Sequence, residues 1–244
     1  MNVKTAGRTL DLFEAFAALG RPLSLSELAR AIGVPVSSCF GLVRTLEGRG
    51  YLYALGARRS FFPTKRLLEQ ARLIAARDPV AERAGTVLAA LRDKTGETTI
   101  LGKRLGSQAV YLDIAESPHS VRYTARVGDF KPLHSSAIGK ALLGQLGRAE
   151  RDALLGPRPL PRVTPATITS RRALEADLAA GRARGWYLTR GENVRDVMAV
   201  AAAARIGDEP FAIAVAGPIH RMTLELERHA ATVMEARDAL EGGA

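Results

Sequence analysis

The chain has 244 residues, of which 47% are hydrophobic, and carries a formal net charge of +10. That length holds one large domain or two smaller ones, each able to bury a core, and the charge favours polyanionic partners such as nucleic acid. The single cysteine, Cys39, excludes an intrachain disulfide, and no uncharged apolar run approaches the ~18 residues of a bilayer span or forms a signal peptide.

These features lead us to expect a soluble, cytoplasmic chain with no membrane association. The charge is unevenly spread: residues 1–79 hold 12 Lys and Arg against 6 Asp and Glu, whereas the rest of the chain is closer to balance. The front third is therefore the better candidate for meeting phosphates.

Residues 7–19 predict a helix with Leu10, Phe13 and Ala17 on its buried face and Gly20 as its stop. Ser24 and Glu27 have the spacing of a capping box, so a second helix begins there. Gly33 marks a sharp bend, and Pro35 opens a third helix that runs to about Gly48. Leu28, Ile32 and Val34 face Cys39, Leu42, Val43 and Leu46 across the turn. Two such helices, the second with polar residues at its start, form a helix-turn-helix. Its second helix fits the major groove of DNA, where Ser37, Ser38 and Arg44 reach phosphates or base edges.

Residues 51–62 then read as a hairpin turning near Gly56. A basic hairpin in this place is a wing, with Arg58 and Arg59 as tip contacts or as an ordinary solvated loop. Residues 64–77 predict a linking helix with Leu67, Leu68, Ala71, Ile74 and Ala75 clustered, ended by Asp78-Pro79.

Beyond it, residues 80–95 predict an amphipathic helix containing Val80, Ala84, Val87, Leu88 and Leu91. Strands follow on either side of Gly106-Ser107, and a third over 121–127 before the Gly128-Asp129 turn. A helix opens after Ser135, and another covers 170–184. Strands are expected near 186–190, 197–206 and 211–216. A final helix over 223–240 buries Leu224, Leu226, Ala230, Val233, Met234 and Leu240. This order suggests an antiparallel-rich sheet with helices on its faces, within an α/β (α+β) chain.

Catalytic patterns are absent from the sequence. Ser135, Ser136, His134 and Lys140 lie close together, but Ala137 stands where a Ser-x-x-Lys motif needs serine. His119, His134, His220 and His229 show no metal-ligand spacing, and no cofactor motif is present. Cys39 reads as a small core residue. No enzyme, metal or cofactor is expected.

Five further stretches, in order, resemble the IclR family of bacterial transcription regulators. They are Leu133-His134-Ser135-Ser136-Ala137-Ile138-Gly139-Lys140-Ala141, Thr164-Pro165-Ala166-Thr167-Ile168-Thr169, Arg182-Ala183-Arg184-Gly185-Trp186, Glu192-Asn193-Val194 and Ala214-Val215-Ala216-Gly217-Pro218. The segment from Leu28-Ala29 to Gly50-Tyr51 matches the family's DNA-binding part. The resemblance implies a winged helix-turn-helix over 1–63, a linker helix over 64–78, and a GAF-like effector-binding and oligomerisation domain over 79–244. It also implies a dimer or tetramer that binds double-stranded operator DNA under control of a small molecule, acting through the 64–78 helix.

The chain departs from the family pattern at Val36 and Gly41, where basic residues are common, and at Asp196, where glycine is usual. By the same resemblance the effector pocket is lined near Leu133, Thr189, Val197, Ala199, Ala214 and Ala216. Most of these are apolar here, so a small carboxylate would lose hydration without compensation. An aromatic or otherwise hydrophobic effector is expected, its polar end met by Thr189, His134, Ser135 or N–H groups at the Ser135–Lys140 helix start. The alternative function is a ligand sensor with weakened DNA contacts that uses its front module to dimerise.

Overall fold

The computed structural model describes residues 3–56, 59–78 and 81–242. The chain divides into two compact units, 1–78 and 79–244.

In the first unit α1 (Lys4–Leu19) ends at Gly20, whose positive φ of 63° lets its N–H return to the Phe16 carbonyl. The buried stripe of α1 is Leu12 and Phe16, with Phe13 beside it. Leu10 and Ala17, expected inside, are exposed. Their spacing also fits a helical face, and only contact with α2 and the hairpin that follows α3 selects between the stripes. α2 (Leu25–Ala31) opens with a complete capping box: Glu27 N–H donates to Ser24 Oγ, and Glu27 Oε2 accepts from the Ser24 N–H at 2.8 Å. The Ser24 N–H, and then Arg21, hold the Glu27 carboxyl down at about 2.

Gly33, at φ 64°, turns the chain into α3 (Val36–Gly48). Cys39, Val43 and Leu46 of α3 are buried with Leu28 and Ala29 of α2. β1 (Leu52–Leu55) and β2 (Ser60–Pro63) pair antiparallel, and Leu23 bridges Phe61 to tie the hairpin back to the helices. α4 (Arg66–Ala75) is shorter than the expected 64–77 helix, and its apolar side chains are exposed rather than packed within this unit.

The second unit starts with α5 (Ala81–Thr95); Val80, read into that helix, lies outside the described residues. β3 (Thr98–Leu105) and β4 (Gln108–Ala115) follow as a hairpin. The expected strand over 121–127 does not form. Instead the outer edge of β4 pairs with β5 (Phe130–Pro132), so 121–127 has no strand neighbour. Its alternating Val121 and Val127 face outward. α6 (Ala137–Gly144) is capped by Ser136, one residue later than expected. α7 (Arg148–Leu155), short and strongly charged, is not foreseen by the sequence pattern.

α8 (Arg171–Arg184), β6 (Tyr187–Arg190), β7 (Val197–Ile206) and β8 (Glu209–Pro218) follow close to their expected places. The final helix is two: α9 (Ile219–Leu224) and α10 (Leu226–Glu241), broken at Glu225. The break leaves Leu224 84% exposed, while Met222 and His229 are buried.

The six-stranded sheet has the order β5-β4-β3-β8-β7-β6, and all its pairings are antiparallel. α5 and α10 cover one face, and α6 and α8 the other. Successive strand residues point to opposite faces. Phe211, Ile213 and Val215 of β8 therefore join the α5/α10 side, and Ala212, Ala214 and Ala216 join the α6 side. β7 repeats the division, with Met198 and Val200 on one side and Ala199 and Ala201 on the other. The sheet is thus lined with small side chains where α6 approaches it. Gly139 of α6 sits against the Leu133 backbone, whose Cα lies 2.5 Å from where a Cβ would be.

Two outcomes follow for stability. Gly139→Ala should destabilise the second unit by about 1–3 kcal/mol, because the obstacle is backbone. Gly85→Ala in α5, where a Cβ finds ordinary contact at 3.7 Å, should raise stability by up to about 1 kcal/mol; thermal melts of both variants test the pair. Burial also pushes the His229 imidazole below its ordinary pKa, with Arg228 adding to the effect and Glu97 and Glu225 opposing it. The unfolded chain therefore takes up a proton near pH ~6.5 that the folded chain refuses, so stability falls as pH drops through that value. His229→Leu should lose less melting temperature than the parent between about pH 7.5 and about pH 5.5.

Candidate functional site

The outward face of α3 carries Val36, Ser37, Phe40, Gly41 and Arg44, all exposed. They lie opposite the buried Cys39, Val43 and Leu46, so the unit's own core fixes which residues face outward. Ser37 and Arg44 lie on this face, whereas Ser38, also exposed, lies on the flank toward Arg8 of α1. Arg59, at the hairpin tip, is exposed with its guanidinium 3.5 Å from Glu47 of α3. An exposed pair at that distance is weak and easily exchanged for a phosphate. Arg58 lies outside the described residues.

Two grooves flank α3. One runs past Ser24, Phe40, Arg44 and Arg59, and the other past Thr5, Arg8, Ser38 and Thr45. The sequence reading missed Arg8 and Phe40. A cation one turn into α1 has no local signal that it borders α3, and Phe40 resembles any core aromatic at helical spacing.

The second unit has a recess between the sheet and α6, partly open to solvent, with about 400 Å³ of space when its open mouth is included. Thr189, Val197, Ala199, Ala214 and Ala216 line it, as expected. Leu133, His134 and Ser135 do not. Leu133 is packed in the core on that side of the sheet. His134 Nε2 lies 2.8 Å from the Pro161 carbonyl, which only accepts, so the ring carries its proton there. Burial pushes this imidazole below its ordinary pKa. Ser135 Oγ accepts a hydrogen bond from Asn193 Nδ2 at 3.1 Å and so steers a residue that does line the cavity.

Of the remaining wall, only the helix start at Ser135–Lys140 was expected. Tyr111 comes from β4, Tyr123 from the segment that failed to become a strand, and Ala137 and Ile138 from the first turn of α6. Burial, and then the Tyr123 phenol, push the Tyr111 phenol well above its ordinary value, so it stays a neutral donor. No charged side chain lines the cavity among the described residues. The Thr189 side chain is 5% exposed and makes no hydrogen bond among the described residues. Ser136 Oγ is already used: it accepts from the Gly139 N–H and donates to the Pro132 carbonyl. The Ala137 and Ile138 N–H groups come before the helical ladder and border the cavity.

Two polar devices hold this wall. Lys140, fully buried, places Nζ 2.7 Å from Glu192 Oε1, 2.8 Å from Asp177 Oδ2 and 3.3 Å from the Leu188 carbonyl. The Asp177 contact is an ion contact outside hydrogen-bond geometry. Burial pushes the Glu192 carboxyl up, and Lys140 pulls it back. Thr164 Oγ1 donates to the Gly191 carbonyl at 2.6 Å, and Thr167 Oγ1 to the Glu192 carbonyl at 2.7 Å. Loop 191–196, which supplies Asn193 and Val194, is thereby clamped from two sides. Asp196 is accommodated without a positive φ; among the described residues other than glycine only Arg59 has one.

Among the described residues no helix is long and apolar enough to cross a membrane, and no group of three His, Cys, Asp or Glu side chains could hold a metal ion.

Comparison with known proteins agrees with both halves of this geometry. Residues 5–56 match the model of the IclR helix-turn-helix domain, and residues 73–241 match that of the bacterial transcriptional regulator IclR C-terminal domain. The chain is 30% identical over 199 residues to the HTH-type transcriptional regulator XynR of Escherichia coli, covering 82% of this chain and 79% of XynR. It is similar to the crystal structure of the Thermotoga maritima IclR protein, with TM-score 0.80, 25% identity and 98% of each chain covered. The fold also resembles that of an IclR homologue from Microbacterium hydrocarbonoxydans solved with 4-hydroxybenzoate, at TM-score 0.79, 23% identity and 98% of each chain covered. The chain belongs to the IclR family of bacterial transcriptional regulators.

Proposed function

We propose that the first unit binds operator DNA through α3 and the wing, and that an aromatic or otherwise hydrophobic small molecule in the second unit's cavity sets that affinity. The observation that carries the effector reading is the cavity wall. It is apolar over Ile100, Ile138, Val194, Val197 and the β7/β8 alanines, and its free polar groups are neutral. A bare small carboxylate could use the same donors but would leave the apolar wall beside them in contact with water. A single-ring aromatic acid fills the apolar part and turns its carboxylate to the Thr189 hydroxyl and the Ala137 and Ile138 N–H groups. Tyr111 and Tyr123 offer a second polar end for a ring substituent.

On the DNA side we assign Ser37, Ser38 and Arg44 to the groove and Arg59 and Arg8 to phosphates, with Arg58 taken as a wing contact from its place in the sequence alone. The excess of positive charge in residues 1–79 supports this assignment. We place the protein in the cytoplasm, as a homo-oligomer whose copies each read one half-site of a pseudo-palindrome. We assign it no catalytic role. His134 is directed to the Pro161 carbonyl, and no hydrogen bond among the described residues joins it to Ser135 or Ser136. A second reading, a ligand sensor with weakened DNA contacts, draws on Val36 and Gly41, which leave Arg44 as the lone cation of the α3 outer face.

Salt separates the two readings. A working regulator should prefer its own upstream region over random duplex, and its affinity should fall steeply with salt; Arg59→Ala should lessen that slope by about 1. Equal, weak binding to both duplexes at every salt concentration would favour the sensor. For the effector, benzoate-class acids should raise the melting temperature of the full chain. Thr189→Val should weaken that binding about tenfold while leaving the unliganded melt in place. Stabilisation by glyoxylate or pyruvate and by no aromatic acid would overturn the aromatic assignment.

A further inference from the structure

The outer face of α3 has an unusual chemistry for a surface aimed at DNA. Val36 is 47% exposed and Phe40 52% exposed, one helical turn apart, and Arg44 follows one turn later. Its guanidinium carbon sits 5.9 Å from the centre of the Phe40 ring, so the cation and the aromatic are held as one unit. Neither apolar side chain is needed by the core, which is closed beneath them by Cys39, Val43 and Leu46.

An apolar strip on this face has few suitable neighbours in a duplex. Most groups on the major-groove edges of the bases are donors or acceptors, and pressing an alkyl or aromatic group on them strips their water for nothing. The exception is the 5-methyl group of thymine. The strip is bordered by Arg44 and Arg59 on one side and Arg8 on the other, so the surroundings are complementary to a polyanion.

Resting on the operator-reading function above, we propose that Val36 and Phe40 read thymine 5-methyl groups, so that part of each half-site is specified by apolar contact. The operator then contains thymines at the positions under the middle of α3. Positions usually read by a basic side chain after Pro35, or at Gly41, contribute little to specificity in this chain.

The test removes the methyl group alone. The full-length protein is first used to select its preferred duplex from a randomised pool, which needs no knowledge of the natural operator. Each thymine of the selected half-site is then replaced by deoxyuridine, and binding is measured. Affinity should fall about fourfold for each methyl that the strip covers. Phe40→Ala should bind the thymine duplex more weakly and lose the discrimination at the position beneath it. Because Phe40 is exposed, that variant should melt with the parent, and the melt is recorded alongside.

A selected duplex bound equally well with thymine and uracil overturns the inference and leaves the regulator reading intact. So does a Phe40→Ala variant that keeps full discrimination at every position. If Phe40→Ala instead lowers the sedimentation mass and keeps the discrimination, the strip belongs to contact between copies and the inference fails. Selection that enriches no duplex overturns the regulator reading and the inference together.

Discussion

A fully buried ammonium has to be neutralised where it stands, and Lys140 imposes that condition on the second unit. Its partners come from separate pieces of chain: Asp177 from α8, Glu192 from the loop before β7, and the Leu188 carbonyl from β6. Meeting them sets α6 against α8 and fixes one end of loop 191–196. Thr164 and Thr167 clamp the same loop from the other side. The cavity wall is therefore held by contacts that involve no effector. Removing Lys140 would leave the Asp177 and Glu192 carboxylates without their shared cation in the interior, which is far more damaging than losing an exposed pair.

Room for a ligand comes from a simpler source. β7 and β8 present mostly alanines to α6, whereas Met198, Val200, Phe211, Ile213 and Val215 turn to the α5/α10 side along with Ala202 and Ala204. The same two-residue alternation that builds a dense core on one side leaves a recess on the other. Gly139 and Gly102 let α6 come close to the Leu133 backbone and to the sheet at one end, so the space collects toward Thr189 and the tyrosines. In the first unit the logic is inverted. There a closed core of α1, α2, α3 and the hairpin leaves nothing inside, and the chemistry is whatever α3 must turn outward.

Much of this was legible along the chain. The Ser24 capping box, the Gly33 turn, the helices over α2, α3 and α8 and the strands β3, β4, β7 and β8 rest on local signals that the structure satisfies. The errors share one cause. Leu10 and Ala17 against Leu12 and Phe16, or 121–127 against β5, are choices between locally acceptable patterns. The partner that decides each one is distant in sequence. The cavity shows the same limit: Thr189 and the β7/β8 alanines were found through resemblance to a family, while Tyr111, Tyr123 and Asn193 arrive from unrelated segments.

The sequence by itself determined the helix-turn-helix, the wing, the antiparallel sheet and the family. Helical period, strand alternation, capping and turn chemistry all act over a few residues, so each is written locally. Only the tertiary structure decided which helical faces are buried, which phenols meet in the cavity, and that Lys140 is a clamp rather than a site. Those outcomes depend on desolvation, and a side chain's distance from water is set by every element packed around it.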